Sequence, residues 1–85
     1  MTEKRYIIVG RSTCPFCCMA ADLCKAEKIQ YIMLDYIKNL EILKEYKTFY
    51  QQNTVPIILE NCLETGYTKK IGGYSDLVAL LSRRE

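Results

Sequence analysis

Two cysteines spaced by a proline and a phenylalanine, Cys14-Pro15-Phe16-Cys17, stand between a short apolar run, Tyr6-Ile7-Ile8-Val9, and a stretch of helical pattern. Thiols three positions apart on the first turn of a helix can close a strained, reducible disulfide. A thiolate at a helix start is stabilised by unpaired backbone N–H groups and by the positive end of the helix dipole. Proline suits the first helical position, where its missing N–H goes unneeded. Half a zinc site and two cysteines packed on a helix are the other readings of one such pair. A structural zinc site asks for a second pair or for histidines. Cys24 and Cys62 lack that spacing and the chain has no histidine, so no metal site is expected and imidazole base catalysis is excluded.

The elements that must position this pair follow from periodicity. Tyr6 to Gly10 reads as a buried strand, β-branched and ended by glycine. From Pro15 to about Lys28 the pattern is helical, with Cys17, Ala20, Ala21 and Cys24 on one face. Tyr31 to Leu34 is a second apolar run, closed by Asp35. Lys38 to about Gln52 predicts a second helix with Ile42, Tyr46, Phe49 and Tyr50 as its apolar stripe. Val55 to Glu60 is a third strand, interrupted early by Pro56. A turn-rich piece from Asn61 to Gly66 leads to a fourth strand, Tyr67 to Ile71. After Gly72-Gly73 a last helix carries Leu77, Leu80 and Leu81 on one face. The order β-α-β-α-β-β-α predicts an α/β domain: a small four-stranded mixed sheet with three helices on both faces. Its first two strands run parallel through a right-handed connection, and its last two form a hairpin.

With 85 residues the chain is expected to form one domain spanning 1–85. It is 49% apolar and 26% charged, the balance of a soluble globule. A net charge of +2 points neither to nucleic acid nor to a membrane surface, and Lys4-Arg5 and Arg83-Arg84 read as solvated ends. Met1 to Arg5 lacks the apolar core of a signal peptide, and no segment is long enough to span a bilayer. Five cysteines, an odd number, without a secretory signal fit a reactive pair in a reducing compartment, the cytoplasm, better than a disulfide scaffold.

Three segments in order, Arg11-Ser12-Thr13-Cys14-Pro15-Phe16-Cys17, Thr54-Val55-Pro56 and Gly72-Gly73-Tyr74-Ser75-Asp76-Leu77, closely resemble a dithiol glutaredoxin of the thioredoxin-like fold. The resemblance runs from Tyr6 to Leu81. It implies glutathione-dependent reduction of protein disulfides and of protein–glutathione mixed disulfides, with Cys14 as nucleophile and Cys17 as resolving thiol. Glutathione is then a co-substrate, no cofactor is bound, and the chain acts as a monomer on disulfide-containing or glutathionylated proteins. Arg11 stands where the family often carries lysine, and its cation would hold glutathione's glycine carboxylate and favour the thiolate. Phe16 keeps an aromatic wall. Thr54-Val55-Pro56 resembles the family's cis-proline loop, whose Val55 backbone would pair with glutathione like an added strand. Gly73, Ser75 and Asp76, at the start of the last helix, would receive the γ-glutamyl carboxylate on backbone N–H groups and the ammonium on Asp76. Helix capping is the plainer role of Ser75 and Asp76.

The sequence also departs from that pattern. Asn53 precedes Thr54 where arginine or lysine is common, and the position where glutamine is usual on the second helix falls near Leu43 or Lys44. Cys18 and Met19 follow the motif where basic residues are frequent. The stretch from Pro56 to Gly72 is longer than the usual hairpin. Cys24 is expected in the core, Cys62 in a turn, and Cys18 beside the active pair. Two rival readings stand beside the first. One is a redoxin serving ribonucleotide reductase and reduced by a flavoprotein, against which Arg11 and Ser75-Asp76 argue. The other is a carrier holding a [2Fe–2S] cluster through Cys14 and glutathione, against which Pro15 argues.

Overall fold

The computed structural model describes residues 3–83. Strand β1, Lys4–Gly10, is central in the sheet, and its second half is buried on both faces, with Ile8 and Val9 fully buried on opposite sides. Helix α1, Pro15–Ala26, starts at Cys14, whose extended backbone (φ −87°, ψ 119°) forms the N-cap, with proline in the first turn. Strand β2 is Tyr31–Asp35 and helix α2 is Leu40–Phe49, capped by Asn39 Oδ1 accepting the Ile42 N–H. Strands β3, Ile57–Cys62, and β4, Thr68–Gly72, precede helix α3, Tyr74–Ser82.

The sheet order is β2-β1-β3-β4. Strands β1 and β2 run parallel, while β1/β3 and β3/β4 are antiparallel. One apolar cluster, Tyr6, Ile8, Ala20, Cys24, Ile58 and Leu77, packs α1 and α3 on one face. The other, Val9, Leu43, Ile57 and Leu59, packs α2 on the opposite face. Burying an isoleucine or leucine fully contributes about 1.5–3 kcal/mol, so these residues hold the three helices to the sheet. The expected thioredoxin-like mixed sheet with helices on both faces is the observed one.

Several boundaries differ from expectation for physical reasons. Helix α1 ends at Ala26 rather than near Lys28, because Lys28 turns left-handed (φ 56°) and the Ile29 N–H reaches back to Cys24 O at 2.9 Å. Helix α2 ends at Phe49 rather than near Gln52 in the same manner, with Gln51 at φ 54° and the Gln52 N–H on Lys47 O at 3.0 Å. Both are Schellman endings with a side chain where glycine is usual. The buried residue of α2 is Leu43, whereas Phe49 is 77% exposed. Strand β3 begins after Pro56 and continues through Asn61 and Cys62, which had been expected in the turn. Lys4 and Arg5 are not simply solvated: Lys4 pairs with Glu60 at 3.5 Å, and Arg5 Nε donates to Asn61 Oδ1 at 3.2 Å. Met1, Thr2 and Arg84 lie outside the described residues. Among those described, no helix is long and apolar enough to cross a membrane.

Candidate functional site

The loop between β1 and α1 delivers Cys14 to the end of the sheet. Its shape is fixed at both ends: the Cys14 N–H bonds to Arg11 O at 3.1 Å, and the Ser12 N–H donates to Asp35 Oδ1 at 2.9 Å. Asp35 also accepts the Ile37 N–H, and these donors, Ser12 foremost, hold its carboxyl below the usual carboxylate range.

Cys14 is only 9% exposed, and burial by itself would raise its pKa. The backbone N–H and thiol of Cys17, the N–H of Phe16 and the charge of Arg11 outweigh burial and lower it. Cys17 shows no exposure, and its thiol is pushed up to about 11. Burial is the leading cause, reinforced by the thiol and charge of Cys14 and opposed by the Arg11 N–H and guanidinium. The two sulfurs are thus shifted in opposite directions, Cys14 down and Cys17 up. Cys17 needs room as well: a Cβ on Gly10 would overlap its Sγ.

Across from Cys14 lies Val55, whose carbonyl oxygen is 3.9 Å from Cys14 Sγ. The Val55–Pro56 peptide bond is cis. Beside the thiol a groove of about 510 Å³ is lined by Phe16, Gln52, Thr54, Val55, Pro56, Gly73, Tyr74, Ser75 and Asp76. Phe16 and Tyr74 face each other along it with ring centroids 6.0 Å apart. Helix α3 opens on the groove. Asp76 Oδ2 accepts the Gly73 N–H at 2.9 Å, so the carboxylate caps the helix as well as lining the groove. Gly72 makes room for it, since its φ of 128° suits glycine and a Cβ there would overlap the carboxylate.

Seven of the expected ligand residues, Phe16, Thr54, Val55, Pro56, Gly73, Ser75 and Asp76, therefore share one groove beside Cys14. Arg11 lies instead next to the two thiols, with its Nε buried and unpartnered. Gln52 and Tyr74 line the groove without having been singled out as ligand contacts. Tyr74 was legible as part of the Gly72–Leu77 segment. Gln52 carries no local signal.

The remaining thiols sit apart. Cys24 is fully buried, and burial raises its pKa. Cys18 is exposed with Sγ 3.3 Å from Ser12 O. Cys62 ends β3, and the Thr65 side chain, then its N–H, lower its pKa. Among the described residues no group of three or more potential ligands converges on a metal position.

Comparison with known proteins agrees with this geometry. Residues 6–61 match the Glutaredoxin family. The fold is similar to that of wheat glutaredoxin (TM-score 0.76, 24% identity, covering 93% of this chain and 72% of that one). Reduced Escherichia coli glutaredoxin is similar at TM-score 0.66 and 25% identity, with 94% of this chain and 95% of that one covered. Glutaredoxin from Brucella melitensis gives TM-score 0.68 and 22% identity, covering 94% and 80%. No curated protein matches the chain significantly.

Proposed function

The chain belongs to the glutaredoxin family, and on that premise we propose that it is a glutathione-dependent thiol–disulfide oxidoreductase acting through Cys14, with Cys17 as resolving thiol. The observation that carries the reading is the contrast of two sulfurs one turn apart beside a single groove. One has its pKa lowered by N–H groups and a guanidinium, and the other is held protonated to about 11.

On a protein–glutathione mixed disulfide, the Cys14 thiolate attacks the glutathione sulfur. A Cys14–glutathione disulfide forms and the protein leaves as a thiolate that takes up a proton. A second glutathione, as its thiolate, attacks that disulfide, leaves as oxidised glutathione and restores the Cys14 thiolate. Cys17 takes no part. On a protein disulfide, Cys14 attacks one sulfur and Cys17 then displaces the substrate, closing a Cys14–Cys17 disulfide that two glutathiones reduce. Cys17 becomes easier to ionise at that moment, because the negative charge on Cys14 that helps to raise its pKa is gone once Cys14 is in a mixed disulfide.

In this reading glutathione lies along the groove. Val55 offers backbone groups to its extended chain, Gly73 and Ser75 offer N–H donors to the γ-glutamyl carboxylate, and Asp76 takes the ammonium. Arg11 meets the other end beside the thiols. Glutathione is a co-substrate, and the chain holds no resident cofactor. Disulfide-containing and glutathionylated proteins of a reducing compartment such as the cytoplasm are the expected partners.

The test is trapping. The Cys17→Ser protein, incubated with oxidised glutathione, should accumulate one glutathione adduct, mapped by peptide mass spectrometry to Cys14. An adduct only on Cys18 or Cys62 would refute the assignment.

A further inference from the structure

Gln52 lies outside both helix α2 and the Thr54-Val55-Pro56 segment, yet its side chain ties them together. Its Nε2 donates to Thr54 O at 3.0 Å and to Pro56 O at 2.8 Å, the carbonyls on either side of Val55. An amide nitrogen has two hydrogens, one for each carbonyl, and the oxygen end of the amide could satisfy neither. The flanking carbonyls are thereby both turned toward the Gln52 amide.

The glutamine is itself held. Its N–H closes the Schellman ending of α2 on Lys47 O, after Gln51 in the left-handed region. The same turn is braced from the sheet by Lys70 Nζ, which donates to Tyr50 O at 2.9 Å. Gln52 also lines the groove beside Phe16 and Asp76. Helix α2, which carries no thiol, therefore reaches the substrate groove through this one side chain.

We propose that Gln52 is the positioning residue of the docking loop: by clamping Thr54 O and Pro56 O it fixes the Val55 backbone in the orientation that receives a glutathione mixed disulfide. The inference rests on the glutathione reading above. Gln52 acts through Val55 and not on the sulfur, so its loss affects docking and leaves the thiolate intact.

Gln52→Met keeps the length of the side chain and removes both donors, whereas Gln52→Lys restores an N–H donor at the tip. Each variant and the wild type are measured in two ways. One is catalytic efficiency on a small-thiol mixed disulfide of glutathione. The other is the rate at which iodoacetamide, which needs no docking loop, alkylates Cys14. Gln52→Met should lose about five- to tenfold in efficiency, with alkylation within about twofold of wild type, and Gln52→Lys should recover most of the loss. Unchanged efficiency in Gln52→Met overturns the inference. So does an equal fall in alkylation, which would mark a general structural role, and so does a lysine variant no better than methionine. Wild type that alkylates normally but does not turn over the mixed disulfide overturns the glutathione reading itself, and this inference with it.

Discussion

Cys17 Sγ lies so close to Gly10 that a methyl group added to the glycine would overlap it. Gly10→Ala should therefore displace the thiol of Cys17, the proposed resolving residue, and destabilise the fold by about 1–3 kcal/mol, the usual cost of overpacking. Reduction of protein disulfides should fall further than removal of glutathione from proteins, which bypasses Cys17. Equal activity losses would mean that the glycine shapes the whole site. The sulfur of Cys14 is governed instead by burial, which raises its pKa, and by hydrogen bonds from Cys17 and Phe16 that outweigh it with the charge of Arg11. Its lowered pKa means that its thiolate appears, and its alkylation rate levels off, at a pH below the ordinary thiol value of 9.0. Cys17 should stay unlabelled until the pH approaches its value of about 11. Cys62 also has a lowered pKa, so iodoacetamide labelling across the pH range must be resolved by peptide mapping. A Cys14 midpoint at or above 9.0 would contradict the electrostatics described. The placement of Cys14, Cys17 and Asp76 about one groove was legible in the sequence because each stands in a segment whose residue types mark a helix start. Gln52 was not, because a glutamine after a helix announces neither the turn it closes nor the carbonyls it meets.

Helix ends do most of the positioning. Asp76 caps α3 through the Gly73 N–H while its carboxylate faces the groove, and an alanine substitution removes both at once. Asp76→Asn retains an acceptor for the Gly73 N–H and loses the charge. It should keep the melting temperature close to wild type and lose about tenfold in efficiency on a glutathione mixed disulfide. Asp76→Ala should lose both activity and about 0.5–2 kcal/mol of stability, as for a lost cap. If Asp76→Asn keeps full efficiency, the carboxylate is a cap alone. At the other end of the molecule, Lys28 occupies the left-handed position that ends α1. Lys28→Gly should raise stability in urea by about 0.5–1 kcal/mol over Lys28→Ala, because only glycine adopts that backbone freely. These endings explain the misplaced helix boundaries. Glycine is the sequence signal for a Schellman ending, and both Lys28 and Gln51 lack it. The stripe assigned to α2 erred similarly: Tyr46 and Tyr50 fit two adjacent faces of a helix, and packing against Val9 and Ile57 selects the one containing Leu43.

The whole molecule is a four-stranded sheet with α1 and α3 on one side and α2 on the other, and α1, α3 and the turn that follows α2 reach one groove. Helix α1 brings the thiols and Phe16, α3 brings Gly73, Ser75 and Asp76, and the end of α2 brings Gln52. That architecture was legible because short β-branched runs alternate with amphipathic segments in a chain too small for another core. The ties that brace the site were not: Ser12 to Asp35 and Lys70 to Tyr50 depend on where the folded chain returns, and Gln52 to Pro56 on the shape of the intervening turn. The proposed function has one sulfur start every reaction and the other serve only protein disulfides. It is tested most directly by glutathione-coupled turnover of a glutathionylated protein and of a protein disulfide by wild type, Cys14→Ser and Cys17→Ser. Cys14→Ser should lose both activities. Cys17→Ser should keep the first and lose most of the second. Activity surviving in Cys14→Ser, or an equal loss of both in Cys17→Ser, would contradict the account.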